Sequence, residues 1–256
     1  FQKMGLKKGD RVAGLVPNTP EAIIAMLATT ALGGIWASCS PDFGVKGVLD
    51  RFSQITPKFL IVSDYYLYRG KEHRITEKLR EIQQGLGTLE ETILFSYKGD
   101  EIPYSVPHTK SWGPLLNLYE EQEIEFTRFP FNTPLFIMFS SGTTGAPKGV
   151  MNTHRSTQTF CAHFMMSCHY EADERPVNLA AAPITHTAGL LSLPCTARGG
   201  TVVVLTKPDP ALLLAAIQKH RVTEFFLPPT VIYRLLDIPD LNMRVDFSSL
   251  KYFLYG

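Results

Sequence analysis

The sequence predicts an α/β fold with parallel-rich sheets covered by helices, and three observations carry that expectation. Short apolar runs alternate with longer amphipathic ones from end to end. Hydrophobic residues make up 45% and charged residues 19%, enough apolar material for a buried core and a poor match to disorder or a coiled coil. No internal repeat and no low-complexity stretch interrupts the alternation. A length of 256 residues suggests one large domain or two small ones.

Arg11–Val16 (RVAGLV) reads as a buried strand, with Pro17-Asn18 as its turn. Pro20 opens a helix to about Leu32, with Glu21 in its first turn. Ile35–Cys39 is a second apolar run, and Val45–Ile55 a helix with Val48, Phe52 and Ile55 on one face. Phe59–Ser63 (FLIVS) is a strand ended by Asp64. The charged stretch Lys71–Gln84 is expected to be a surface helix, and Thr92–Phe95 a further strand. Pro103, Pro107, Pro114 and Pro130 mark Ser96–Pro134 as loops, with one short helix over Trp112–Glu121. Leu135–Phe139 (LFIMF) is a strand, and Val150-Met151 begins another. Ser156–Tyr170, His186–Thr196, Pro210–Lys219 and Pro228–Asp237 are expected helices. Asn178–Ala182, Thr201–Leu205, Glu224–Leu227 and Lys251–Leu254 are expected strands between and after them. The expected division is a first α/β subdomain over 1–134 and a second over 135–256.

Charge and cysteine content narrow the function. Lys+Arg number 25 and Asp+Glu 24, a net charge of +1, so no basic excess exists to neutralise a nucleic-acid backbone. Cys39, Cys161, Cys168 and Cys195 form no CxxC pair, and reduced thiols in a cytoplasmic protein are the expectation. Two uncharged runs, Ala22–Pro41 and Asn178–Ala197, are about long enough to cross a bilayer. Internal Gly33-Gly34, Pro183, His186 and Pro194 fit buried elements of a large domain better than membrane spans. Phe1 opens the chain with Lys7-Lys8 close behind, unlike a signal peptide and like an internal start.

The most informative stretch is Ser140-Ser141-Gly142-Thr143-Thr144-Gly145-Ala146-Pro147-Lys148-Gly149. Gly142, Gly145 and Gly149 let the backbone turn tightly and approach a ligand closely. Their N–H groups and four hydroxyls make a dense set of donors, suited to an anion rich in oxygen, above all a polyphosphate. Lys148 adds a positive charge for phosphate oxygens. The loop follows an apolar strand, where α/β folds place ligands. It is not a Walker A loop, because Pro147 precedes Lys148 and Gly149 follows it.

The run SSGTTGAPKG resembles the signature of adenylate-forming enzymes: acyl-CoA synthetases, luciferase-like enzymes and peptide-synthetase adenylation domains. The resemblance implies that the chain is part of the large N-terminal domain of such an enzyme. It implies an acid–thiol ligase, in which a carboxylate attacks the α-phosphorus of ATP to give an acyl-adenylate, and a thiol such as CoA then displaces AMP. ATP, CoA and a carboxylic acid would be substrates, with Mg²⁺ as cofactor. By the same resemblance Ser140, Ser141, Gly142, Thr143, Thr144, Gly145, Pro147, Lys148 and Gly149 bind nucleotide, with Ser141, Thr143, Thr144 and Lys148 on the leaving β- and γ-phosphates. The stretch Gly5–Asn18 is similar to an early strand and turn of the family. WASCSPDFGVKGVLD at Trp36–Asp50 is most similar to acetoacetyl-CoA synthetases. GGTVVV at Gly199–Val204, PPTVIY at Pro228–Tyr233 and SSLKYFLYG at Ser248–Gly256 resemble general acyl-CoA ligases. PITHTAGL at Pro183–Leu190 resembles fatty-acyl and aryl-CoA ligases, which implies His186 and Gly256 as substrate-binding residues and an acyl site that follows the second half. The family's Mg²⁺-holding acid, ribose aspartate and catalytic lysine would follow Gly256, so Lys148 is not that catalytic residue, and little adenylation is expected of these residues alone. A nucleotide- or acyl-binding fragment without turnover and a luciferase-like monooxygenase are the alternatives.

Other polar and aromatic groups read more plainly. His154 is expected to be a strand-end histidine hydrogen-bonded in the core. Cys161, His163, Cys168 and His169 match no common zinc spacing, and no metal site is expected. Trp36, Phe43 and Phe52 read as core packing.

Overall fold

The computed structural model describes residues 1–68, 71–99, 102, 106–140 and 145–256, with Asn242 described by its backbone alone. The chain divides into two compact units, Phe1–Ser156 and Thr157–Gly256. The strand that follows the expected 134/135 boundary and its hairpin partner join the first unit's sheet.

The first unit contains β1 (Arg11–Leu15), α1 (Pro20–Ala31), β2 (Ile35–Cys39), α2 (Val45–Phe52), β3 (Phe59–Ser63), β4 (Tyr65–Tyr68) and β5 (Lys71–Arg74). It continues with α3 (Thr76–Gly85), β6 (Glu91–Phe95), β7 (Thr109–Ser111), α4 (Trp112–Asn117), β8 (Pro134–Phe139) and β9 (Gly149–Thr153). Seven strands lie in the order β7-β6-β3-β1-β2-β8-β9. All neighbours are parallel except β8 and β9, which form an antiparallel pair. Every residue of β3 is buried, as a strand covered on both faces requires. Val48 and Phe52 of α2 meet Leu79 and Ile82 of α3 in one core with Leu15, Leu60 and Val62 of the sheet.

Two departures from expectation fall in this unit. Lys71–Arg74 is strand rather than the start of a helix: it pairs antiparallel with Tyr65–Tyr68, and the rings of Tyr66 and His73 stack. Burial of Ile75, whose N–H donates to the Asp64 carbonyl, ends the hairpin, so α3 begins at Thr76. In the proline-rich region β7 adds an edge to β6, and α4 stops at Asn117, short of Glu121.

The helix α5 (His154–Ser167) leads into the second unit: β10 (Val177–Ala180), α6 (Thr187–Ala197), β11 (Thr201–Val204), α7 (Pro210–His220), β12 (Glu224–Leu227), α8 (Pro229–Leu236), α9 (Leu241–Arg244) and β13 (Tyr252–Tyr255). Its four parallel strands run β11-β10-β12-β13. Asp209 caps α7 by accepting from the N–H groups of Ala211 and Leu212, ahead of Pro210 in the first turn. Leu213 and Ile217 of that helix and Val231 and Leu235 of α8 pack on Leu179, Phe225 and Leu227. Among the described residues no helix is long and apolar enough to cross a membrane.

Candidate functional site

The glycine- and hydroxyl-rich stretch closes the β8–β9 hairpin, so the strand after the loop runs back beside the strand before it. No helix follows at once, which separates it structurally from a Walker A loop. The ladder ends where Phe139 faces Gly149. A Cβ on Gly149 would come within 2.9 Å of the Ile137 side chain, so a glycine suits that close approach. Beyond the ladder the Ser140 N–H donates to the Lys148 carbonyl at 3.0 Å, and the Lys148 N–H to Ser140 Oγ at 3.4 Å. Gly145 and Lys148 are exposed, while Pro147 is buried. A Cβ on Gly145 would meet nothing within 4 Å, so open space lies beside it. Among the described residues the Lys148 ammonium has no ion pair or hydrogen bond. Ser141, Gly142, Thr143 and Thr144, expected on the phosphates, lie outside the described residues.

Gln54 and Lys78, which the sequence did not single out, hold turns on this carboxyl edge, and Arg51 packs on the ring of Phe43 in one of them. The Gln54 side-chain amide donates to the Pro147 carbonyl at 2.9 Å. Lys78 donates to the carbonyls of Pro41 and Phe43, at 2.7 and 2.8 Å, and pins the SPDFG turn after β2. Burial pushes the Lys78 ammonium below its usual range. The Arg51 guanidinium donates to the Gly47 carbonyl and lies 4.0 Å from the Phe43 ring centre. Phe43 is thus a partly exposed lid on Arg51 and not the core residue expected, whereas Trp36 and Phe52 are buried as expected.

In the second unit His186 stands at the position before α6, in the turn that leaves β10, without a side-chain bond to the helix N–H groups. Strands β11 and β12 lie on opposite sides of β10, which makes that carboxyl end a topological switch point, the usual ligand edge of an open α/β sheet. The His186 ring is exposed, with Nδ1 2.9 Å from Thr187 Oγ1. Gly189 makes this turn possible, since a Cβ there would sit 1.9 Å from the Ile184 carbonyl oxygen. Gly256 follows β13 on the same edge and is exposed.

A buried polar network occupies the amino ends of the same strands. Glu224, 1% exposed, accepts from Asn178 Nδ2 at 3.0 Å and from the Tyr170 hydroxyl at 2.9 Å. Tyr170 Oη also lies 3.0 Å from Thr223 Oγ1. Burial raises the Glu224 carboxyl above the ordinary carboxylate range and pushes the Tyr170 phenol up. The crevice beside them, lined by Cys168, Pro176, Pro194 and Arg198, has no room for a ligand. Sequence reading passed over Glu224. The signal was there: a Glu opening one apolar strand and an Asn opening another.

The remaining candidates resolve locally. His154 begins α5, its ring stacked on Phe129 with centroids 6.3 Å apart. Its Nε2 is buried without a hydrogen-bond partner, which corrects the expected bond, and burial lowers its pKa. All four thiols are free, and Cys39 and Cys195 are pushed up by burial to about 12. Among the described residues no group of three His, Cys, Asp or Glu could hold a metal ion.

A largely parallel α/β unit carries the glycine- and hydroxyl-rich stretch between β8 and β9, and the chain belongs to the AMP-binding enzyme family, whose model matches residues 1–256. Over 163 residues it is 46% identical to the acetoacetyl-CoA synthetase of Macaca fascicularis, covering 61% of this chain and 24% of that protein. The acetoacetyl-coenzyme A synthetase of Rhizobium meliloti (strain 1021) is 44% identical over 159 residues, with the same shares. The solved acetoacetyl-CoA synthetase from Streptomyces lividans superimposes with a TM-score of 0.86 at 29% identity, covering 99% of this chain and 39% of that one. A luciferase-like enzyme from the nonluminescent Zophobas morio mealworm, at 22% identity and a TM-score of 0.79 over 100% of this chain and 55% of that one, shares the fold. The chain spans about a quarter of the length of the curated relatives it matches.

Proposed function

We propose that these residues form the ATP-binding part of an AMP-forming acid–thiol ligase. In this reading a substrate carboxylate oxygen attacks the α-phosphorus of ATP, and the bond to the bridging oxygen of pyrophosphate breaks. The sulfur of CoA then attacks the acyl carbonyl, and AMP leaves. The observation that carries the reading is Lys148, an exposed cation without a partner among the described residues, one residue before β9 in a chain that the family model matches throughout. Its charge, with the N–H and hydroxyl groups of Ser140–Gly149, would stabilise negative charge that builds on the departing β- and γ-phosphates. Such a donor set fits phosphate oxygens and not a cation, so Mg²⁺ would arrive on the ATP phosphates, where it would neutralise charge. Ser141, Thr143, Thr144 and Lys148 would take the remaining oxygens. His186 and Gly256, on the carboxyl edge of the second sheet, would border the acid.

The relatives' names support acetoacetate as the acid. The PITHTAGL turn supports a second reading, a larger fatty-acyl or aryl acid, since exposed His186 faces the usual ligand edge. Free thiols, three of the four buried, support a reducing compartment, the cytoplasm, which cell fractionation would check. The test of function is acid-dependent ATP–pyrophosphate exchange by the full-length gene product with acetoacetate, medium-chain and aromatic acids. Exchange fastest with acetoacetate is the expected result. Exchange with larger acids alone would move the assignment to the second reading, and ATP binding without exchange for any acid would replace catalysis by binding alone.

A further inference from the structure

We propose that Gln54 is a positioning residue for the phosphate loop, aiming Lys148 by clamping the peptide that precedes it. The functional part of the inference rests on the reading of this loop as an ATP site. Gln54 lies just past the end of α2, and its side-chain NH₂ carries two hydrogens. One goes to the Asp50 carbonyl at 2.5 Å, on the last turns of α2. The other reaches 93 positions along the chain to the Pro147 carbonyl at 2.9 Å. Both acceptors are carbonyl oxygens, so only the amide nitrogen can face them, and the side-chain oxygen is left pointing away.

The consequence follows from peptide geometry. The Pro147 carbonyl and the Lys148 N–H are the two ends of one planar unit. Gln54 holds the carbonyl end, while Ser140 Oγ holds the N–H end at a long 3.4 Å. The next peptide is held through the Lys148 carbonyl, which accepts from the Ser140 N–H at 3.0 Å. With a plane fixed on each side of its Cα, Lys148 has its Cα–Cβ direction set before any ligand arrives. Pro147 adds to this, since its ring locks φ and it has no N–H to offer a competing bond. Remove the Gln54 donor and the plane before Lys148 is tethered by its weaker end alone. The cost of ordering the loop then falls on ATP binding.

A rival role is helix capping, because the bond to Asp50 also satisfies one of the last carbonyls of α2. The two roles separate by experiment. In the full-length protein, Gln54→Met keeps the side-chain length and removes the donor, and Gln54→Arg keeps N–H donors. Three quantities are read: KM for ATP against KM for the acid in ATP–pyrophosphate exchange, hydrogen exchange of a peptide covering 145–149, and Tm. Positioning predicts that Gln54→Met raises KM for ATP roughly three- to tenfold, the loss of one modest hydrogen bond. It also predicts an unchanged KM for the acid, faster amide exchange at 145–149, and recovery of both readouts in Gln54→Arg. A fall in Tm with KM for ATP and loop exchange unmoved would overturn the proposal in favour of capping. If the wild type binds no ATP, loop exchange still reads the clamp: acceleration in Gln54→Met would uphold the clamp and sink only the ATP reading, and no acceleration would sink the clamp itself.

Discussion

Two polar places in the molecule treat charge in opposite ways. In the β8–β9 loop the Lys148 ammonium is exposed and has no partner among the described residues, and a Cβ on nearby Gly145 would meet nothing within 4 Å. At the amino ends of β10 and β12 the Glu224 carboxyl is buried, and each of its oxygens already accepts a hydrogen bond. A carboxyl this deeply buried, with both oxygens engaged and no space beside it, is closed to a ligand. Its work is architectural, tying Asn178 on one strand to the facing Glu224 on the next. A cation held in the open with its backbone clamped contributes little to the fold, and the proposed function gives it an anion to meet. Partnering, more than burial or charge alone, tells the two apart.

Lys148→Ala gives the sharpest test of that contrast. It should lower the rate of ATP–pyrophosphate exchange by roughly a hundredfold or more, the scale of losing one charge-stabilising donor. Tm should stay close to the wild-type value, because the side chain makes no contact that folding needs. A large drop in Tm with exchange intact would reverse the roles assigned to the two regions. Next in size is Glu224→Leu. It strands the Asn178 amide and Tyr170 hydroxyl in a closed environment, so unfolding in urea should show a loss of about 2–4 kcal/mol. Glu224→Gln keeps one acceptor for Asn178 and offers an N–H to Tyr170, whose hydroxyl can turn toward Thr223, so its cost should be far smaller. The pH dependence carries the same sign argument. Burial raises the folded pKa of Glu224, so its contribution is full below the unfolded value and is lost as pH rises through the folded value. Glu224→Gln should therefore gain on the wild type as pH rises. Equal losses for Leu and Gln would show that the hydrogen bonds contribute nothing.

What could be read ahead of the structure was local. The LFIMF run, the following loop and the return strand are contiguous, and ten successive residues carry the anion-binding pattern. The order of strands and helices in the second unit follows from runs of four or five apolar residues with turns between them. Partnership across distance was not legible. LFIMF at Leu135–Phe139 looks like any buried strand, and nothing in it says that Phe136 and Ile137 pair with Trp36 and Ala37. That pairing places the strand in the sheet of the first unit. The charges of Lys71–Arg74 fit a solvated helix face equally well, and only the facing tyrosines of β4 decide for strand. Gln54 belongs to no motif, and its meaning lies wholly in a carbonyl far along the chain.

His154 falls between the two extremes and gives the smallest expected effect. Its ring is sheltered by Phe129, yet Nε2 has no partner, so it is neither exposed for a ligand nor satisfied by the fold. Burial lowers its folded pKa below the ordinary histidine value near 6.5. The sign is then the reverse of Glu224: the neutral ring is favoured on folding, its contribution is complete above the unfolded value, and it is lost as pH falls through that value toward the folded one. His154→Phe keeps the stacking partner for Phe129 and removes both the unpaired nitrogen and the proton. Urea unfolding at pH 8 and at pH 5.5 should show the variant level with the wild type or slightly above it at the higher pH, with the gap widening at the lower. A gap that stays constant would mean that His154 does not titrate differently on folding. A variant less stable at both values would mean that Nε2 has a partner in solution, which would place His154 with Glu224 among the satisfied groups.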